Sequence, residues 1–267
     1  MKNSLLLGIL LVAGTVFADS RLFTYTYEPE TEPSGDWELE QSITSRLGRD
    51  AAVGQQNYQK WEFATEVEHG FTDRYTASIK INNDFEHFRD PVSRKISSGN
   101  RFSGISSENR YLVLDPVENP VGFTLYLEPT WDGQNAELEQ KIILGQRQGD
   151  WKWAVNLTHA TEWTDDFRTS EGELELSAGL ARNLTGRWTL GLEIRDHNEL
   201  PEYSEWENSA VYLGPTLSYH RQKWWAALST MAQIYGWNQS GNPDQNTRLE
   251  LEGHERLNIR LLVGYSF

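Results

Sequence analysis

From Trp37 onward the chain alternates apolar and polar residues in segments of about ten, with a period of two that a β-strand supplies and a helix does not. The terminal stretch LNIRLLVGYSF puts Leu257, Ile259, Leu261, Val263, Tyr265 and Phe267 on one face, and Asn258, Arg260, Leu262, Gly264 and Ser266 on the other. At the other end, Trp37, Leu39, Ile43 and Leu47 stand opposite Glu38, Glu40, Ser42, Thr44 and Arg46. Between them come Trp61 to Phe71, Tyr75 to Phe85, a short YLVLDP, then FTLYLEPTW, AELEQKIILGQ, WKWAVNLTHATEW, GELELSAGLA, WTLGLEIRD, SAVYLGPTLSY and WWAALSTMAQIY, with a last strand from about Leu249 to Phe267. Short turns fall near residues 72, 118, 149, 185 and 222; longer connections fall at 48–57, 87–103, 132–136, 164–171, 197–207 and 236–248. The pattern predicts an all-β fold, a transmembrane antiparallel β-barrel of about 12 strands, with short periplasmic turns, longer extracellular loops and both chain ends periplasmic.

The aromatic residues separate this barrel from its rival, a soluble β-sandwich. Eleven Trp and eleven Tyr are many for so polar a chain, and a sandwich would gather them in one core. Here Trp37, Phe71, Tyr75, Phe123, Trp151, Trp153, Trp188, Tyr219, Trp224, Tyr265 and Phe267 lie beside the short turns, and Trp61, Phe63, Phe85, Trp131 and Trp163 beside the long loops. Aliphatic residues such as Ile79, Leu125, Ile142, Leu157, Leu190 and Leu228 fill the band between. Two aromatic girdles around an apolar band are what a membrane with two water boundaries selects.

The rest of the chain divides simply. Lys2, the apolar LLLGILLVAG and VFA read as a signal peptide, 1–18, cleaved after Ala18. Residues 19–36 form an N-terminal periplasmic or lumen segment, in which 21–27 could be a tether, a plug or an extra strand, and Pro29 and Pro33 oppose continuous pairing into the first strand. Residues 37–267 make the transmembrane barrel. The net charge of −15 excludes nucleic acid as a partner, since phosphates demand a basic footprint, and the absence of Cys excludes a disulfide framework or a lipid-anchored Cys.

The final residues, with Phe267 last, Tyr265 two before it and apolar residues at alternate positions before that, resemble the C-terminal assembly signal of Gram-negative outer-membrane β-barrels. The stretch LFTYTYEPETEPSGDWELEQ is similar to an uncharacterised family of proteobacterial outer-membrane barrels. The resemblance implies the bacterial outer membrane as location, outer-membrane lipid and lipopolysaccharide as surroundings, and the barrel-insertion machinery as reader of Tyr265 and Phe267. It implies no activity.

Function in a barrel resides in the lumen and the loops. The inward face carries Glu38, Glu40, Glu62, Glu66, Glu68, Lys80, Arg256 and Arg260, and further along Glu137, Glu139, Lys141, Glu162, Glu173, Glu175, Glu193 and Arg195. These charges suit a water-filled, porin-like pore for small polar solutes or ions; they equally suit a ladder of ion pairs closing a narrow barrel, whose loops would then be the interacting surface. Arg89, Arg94, Lys95 and Arg101 make the 87–103 stretch basic, fit to fold inward as a constriction, to bind lipopolysaccharide phosphates, or simply to remain solvated. Enzyme chemistry finds less support. His159 has no Ser beside it on the flanking strands, His69 belongs to the periplasmic belt, and with so many Glu residues no carboxylate pair stands out. The loops DHNE at 196–199 and NPDQN at 242–246 match no EF-hand, and no metal or cofactor is expected. The tail generates the first test: deleting Phe267 should lower the outer-membrane fraction of the protein while secretion across the inner membrane continues. Unchanged insertion in a fractionation assay would remove the assembly role.

Overall fold

The computed structural model describes residues 21–267 apart from 51–54, 91, 166, 202, 204 and 240–247. The signal segment 1–18 and the NPDQN stretch lie outside the described residues. Thirteen strand segments run in chain order: β1 (Trp37–Leu47), β2 (Gln56–Thr72), β3 (Tyr75–Arg89), β4 (Ile96–Ser106), β5 (Asn109–Leu114), β6 (Gly122–Trp131), β7 (Ala136–Gln148), β8 (Trp151–Thr164), β9 (Thr169–Asn183), β10 (Trp188–Pro201), β11 (Asn208–Arg221), β12 (Trp224–Asn238) and β13 (Leu257–Ser266). All pairings are antiparallel, and β4 and β5 both lie between β3 and β6, so they are two halves of one staggered strand and the barrel has twelve. Closure comes from β1 against β13, with Glu38 opposite Ser266 and Leu47 opposite Leu257, and the Phe267 amide donates to the Trp37 carbonyl at 3.0 Å.

The two faces sort as the alternation predicts. Ile79, Leu125, Ile142, Leu157, Leu190 and Leu228 are outward, and the turn-end girdle is a set of touching rings: Trp37 on His69 (4.1 Å), Trp188 with Tyr219 (4.7 Å) and Trp224 with Tyr265 (4.6 Å). His159 also sits on the outer face, against Tyr203.

Three expected boundaries move. The stretch 87–103 is mostly strand: β3 runs to Arg89 and β4 starts at Ile96, so a long hairpin stands above the loop end of the barrel. Both its faces meet water there, so alternation fades; Gly104, at φ 115°, marks where the pairing shifts and the apolar period resumes. The last strand begins at Leu257 rather than near Leu249, because residues 249–256 turn into the barrel mouth, burying Leu249 and Leu251. The DHNE stretch belongs to β10 and is not a loop.

Residues 21–33 lie inside the wall at the turn end, and 34–36 form an exposed turn into β1. Phe23 fills the space left by Gly179, Gly191, Ala154 and Ala181, where a Cβ on Gly179 would stand 2.6 Å from the Phe23 ring. Pro29 occupies the equivalent gap at Gly122 and Gly145. Asn156 acts as a strand partner for the segment, accepting from the Tyr27 amide at 2.6 Å and donating to the Tyr27 carbonyl at 2.9 Å.

The anchor is Glu193 on β10. Its fully buried carboxylate accepts from the amides of Thr24 (3.0 Å), Tyr25 (3.0 Å) and Thr26 (2.9 Å) and from the hydroxyls of Thr24 (3.1 Å) and Thr216 (2.8 Å). Five donors disperse one negative charge, and each charge-assisted bond stabilises by more than a neutral one. Glu193→Gln removes the charge and turns an NH2 toward donors. The amides of 24–26 should then exchange roughly tenfold faster or more by hydrogen-exchange mass spectrometry. Unchanged exchange would show that apolar packing around Phe23 alone holds the segment.

Candidate functional site

The inward positions converge on a polar space between the N-terminal segment and the folded-in 249–256 stretch. One cavity, about 400 Å³, is bounded by Tyr27, Glu40, Lys60, Lys80, Glu137 and Arg260. A second, about 450 Å³, adjoins it through shared walls at Lys60, Lys80, Glu137 and Arg260 and reaches Arg195, His197 and His254. Tyr27 bounds both, so the N-terminal segment is their floor.

At this floor β-strand register brings carboxylates together. Glu40 stands opposite Glu66, and Glu66 opposite Lys80. The Lys80 ammonium lies 3.3 Å from Glu66, 3.4 Å from Glu108 and 3.1 Å from Glu128. Arg110 pairs with Glu68 and, at 3.0 Å, with Glu108. The Tyr27 hydroxyl donates to Glu108 at 3.0 Å, linking the N-terminal segment into the network. Glu38 is separate: it accepts from the Trp225 indole at 2.8 Å and the Ser266 hydroxyl at 2.9 Å, and so ties the closing seam.

Nearer the mouth the charges divide by side. On the β1, β2 and β13 side, Arg46 and Lys60 flank Glu62 at 2.9 and 3.1 Å, Arg49 holds Glu255 at 2.6 Å, and Arg260 lies over the Tyr25 ring, 4.9 Å from its centroid. On the β7 and β8 side, Glu137 and Glu162 face each other in register, and among the described residues neither has a cation within 4.0 Å. The 249–256 stretch is fixed by Glu250, whose carboxylate accepts from the amides of Glu252, Gly253 and His254 at 2.9–3.3 Å; burial nonetheless pushes its carboxyl up. At the rim, the Asn135 and Gln134 amides hold the Asp132 carboxyl below the usual range.

Of the residues singled out from sequence, Glu38, Glu40, Glu62, Glu66, Glu68, Lys80 and Arg260 line the interior, whereas Arg256 precedes β13 and is exposed. Arg89, Arg94 and Lys95 are exposed around the tip of the β3–β4 hairpin; Arg101 is on β4 and reaches Asp84 at 2.9 Å. Sequence reasoning missed Glu108, Arg110 and the inward-folded Glu250–Glu255, and placed Glu193 on the inward face without its role as anchor of the N-terminal segment. Small residues at inward positions of several strands, Gly122, Gly145, Gly179 and Gly191, were the available signal that something else fills the turn end.

The wall, the girdles and the charged interior define a porin-like outer-membrane β-barrel. Residues 15–143 and 145–267 match the family described as "Family of unknown function (DUF6662)", and the chain belongs to that family. No curated protein matches the sequence. Among solved structures, the chain is similar to the COG4313 outer membrane channel from Pseudomonas putida F1 (TM-score 0.62, 10% identity, 92% of this chain and 100% of that one). It is also similar to the KdgM porin in complex with disordered oligogalacturonate (0.53, 9%, 86% and 99%) and to the beta domain of the Bordetella autotransporter BrkA (0.50, 11%, 88% and 100%). At such identities the likeness is one of fold.

The network at the floor yields a direct test. Lys80→Met leaves three buried carboxylates facing one another without their shared cation, and removing one partner from a buried ionic cluster costs about 3–5 kcal/mol. Denaturant unfolding of the refolded protein, followed by Trp fluorescence, should show that loss; a change under about 1 kcal/mol would mean that water already solvates the cluster.

Proposed function

We propose that the protein is an outer-membrane channel through which small hydrophilic solutes pass passively, with a preference for cations. The observation that supports this is the pair of adjoining polar cavities, with Glu137 on both and Glu162 on the first, neither with a cation within 4.0 Å among the described residues. Carboxylates without a cationic partner, where ionised, concentrate cations in a confined space and repel anions. Lys60, Arg46 and Arg260 across the lumen add a field transverse to the axis, which orients dipolar solutes. The oligogalacturonate held by KdgM is a polyanion, and the acidic wall here argues against a ligand of that kind. The N-terminal segment floors both cavities, and the solute must go past Tyr27. Chain ends and short turns face the periplasm; Arg89, Arg94 and Lys95 then stand outside, where lipopolysaccharide phosphates are the matching charge. Tyr265 and Phe267 serve the insertion machinery.

A second reading has its own support. Lys80 sits among three carboxylates and Glu193 binds three amides of the segment, which suits a permanently occluded barrel. Planar-bilayer recording under a salt gradient separates the two. The channel reading expects discrete steps with a cation-shifted reversal potential, a weaker shift in Glu137→Gln/Glu162→Gln, and larger steps after deletion of residues 21–30. Silence from intact and truncated proteins that are both folded and inserted overturns it.

A further inference from the structure

Two histidines far apart in sequence meet at the wall of the upper cavity. His197 points inward from β10, with its neighbour at i+2, Glu199, on the same face as strand geometry requires. His254 comes from the 249–256 stretch that turns into the mouth. The rings are 5.1 Å apart at 80°, and His254 Nε2 lies 4.0 Å from a Glu199 carboxylate oxygen. One ligand atom from each of His197, Glu199 and His254 falls within 4.8 Å of the others. A closed tetrahedral zinc site has ligand atoms roughly 3.3 Å apart, so the three side chains draw together when the ion binds.

The surroundings of each ligand have the form that metal sites require. His197 Nδ1 is 3.2 Å from both Glu175 and the Arg195 guanidinium that holds Glu175, which fixes the ring and leaves Nε2 turned toward Glu173 at 3.7 Å. Asn208 donates to Glu199 at 2.6 Å and stands 2.9 Å from His254 Nε2, so one amide brings the two side chains together before an ion binds. The cavity of about 450 Å³ gives the site an aqueous entry path and room for a water as further ligand.

We infer that His197, His254 and Glu199 form a binding site for a borderline divalent transition-metal ion of the zinc type, in which two imidazole nitrogens and one carboxylate oxygen replace part of the ion's hydration shell. The donor set decides the class: imidazole favours zinc, copper or nickel, whereas calcium and magnesium take oxygen cages. On binding, His254 Nε2 exchanges its contact with Asn208 for the ion, and Asn208 keeps Glu199 in place. The ion joins β10 to the segment that leads into β13, across β11 and β12, and fastens that segment inside the mouth. This site is independent of whether the lumen conducts.

The test uses the full barrel refolded in detergent, stripped with a chelator and dialysed, then titrated calorimetrically with zinc chloride alone or calcium chloride alone. One zinc per chain is expected, with calcium at least about a hundredfold weaker. His197→Ala and His254→Ala should each weaken zinc binding roughly tenfold or more, while His69→Ala, on the outer girdle, leaves it unchanged. Should His254→Ala fail to fold, Glu199→Gln and the visible spectrum of the cobalt-loaded parent decide: intense d–d bands that the variant loses support the site. Absence of saturable zinc binding, binding that survives loss of His197, or equal affinity for calcium overturns it.

Discussion

The structure depends on one constraint: in a bilayer no backbone amide or carbonyl of the wall can be left without a partner. A sheet that meets this has no edge, so β1 must find β13, and the register of that seam sets every inward and outward position between them. The seam is reinforced from inside, where Trp225 lies against Gly264 and donates to Glu38 while Ser266 donates to the same carboxylate. Once the sheet closes on twelve strands the interior is too wide for opposed side chains to fill unaided and too narrow for a large channel. What occupies that space becomes the central question of the fold.

Two non-strand pieces of the chain occupy it, and each is held by the same device. Glu193 gathers the amides of Thr24 to Thr26; Glu250 gathers those of Glu252 to His254. In both, a buried carboxylate satisfies successive backbone N–H groups that have no ladder to join, which is the condition for placing irregular chain inside a wall. Glycine at Gly179, Gly191, Gly145 and Gly236 opens the room. A Cβ on Gly236 would meet the Glu250 amide at 2.1 Å, so the mouth segment could not lie where it does against any larger residue.

Most of the wall was legible in the sequence because lipid and water impose opposite demands on alternate residues, and ten-residue stretches record that faithfully. Where both faces meet water the record fails: Ile96 to Phe102 are exposed throughout, and the strand they form carries no alternation. The Leu249-Glu250-Leu251-Glu252 stretch fails in the opposite sense. It alternates, but its leucines are buried inside the mouth and its glutamates serve as hydrogen-bond partners there, so the period of two reports an amphipathic strip and not a membrane strand. Register pairs such as Glu66 with Lys80 follow from strand boundaries, whereas Glu108 and the meeting of His197 with His254 depend on a staggered strand and an inward turn that no local pattern encodes.

The wall and its contents also divide the work of rigidity and change. A strand in lipid cannot rotate an inward charge outward, because the outer face offers no solvation for it. Rearrangement inside the barrel must therefore fall to residues 21–33 and 249–256, which lie outside the strand ladders and are held in good part by side-chain hydrogen bonds. Both segments meet β10: Glu193 holds residues 24–26 below and Glu199 neighbours His254 above, while the N-terminal segment also rests on β6 to β9 through Gly122, Gly145, Asn156 and Gly179, and the mouth segment on β11 and β12 through Tyr212 and Gln233. The lower and upper ends of the lumen thus share one strand of wall. From β10 the charges continue around the wall, Arg195 pairing with Glu175 on β9 and Lys141 with Glu139 on β7, so the strand that both segments touch stands at one end of a charged row that leads to the acidic side of the cavities.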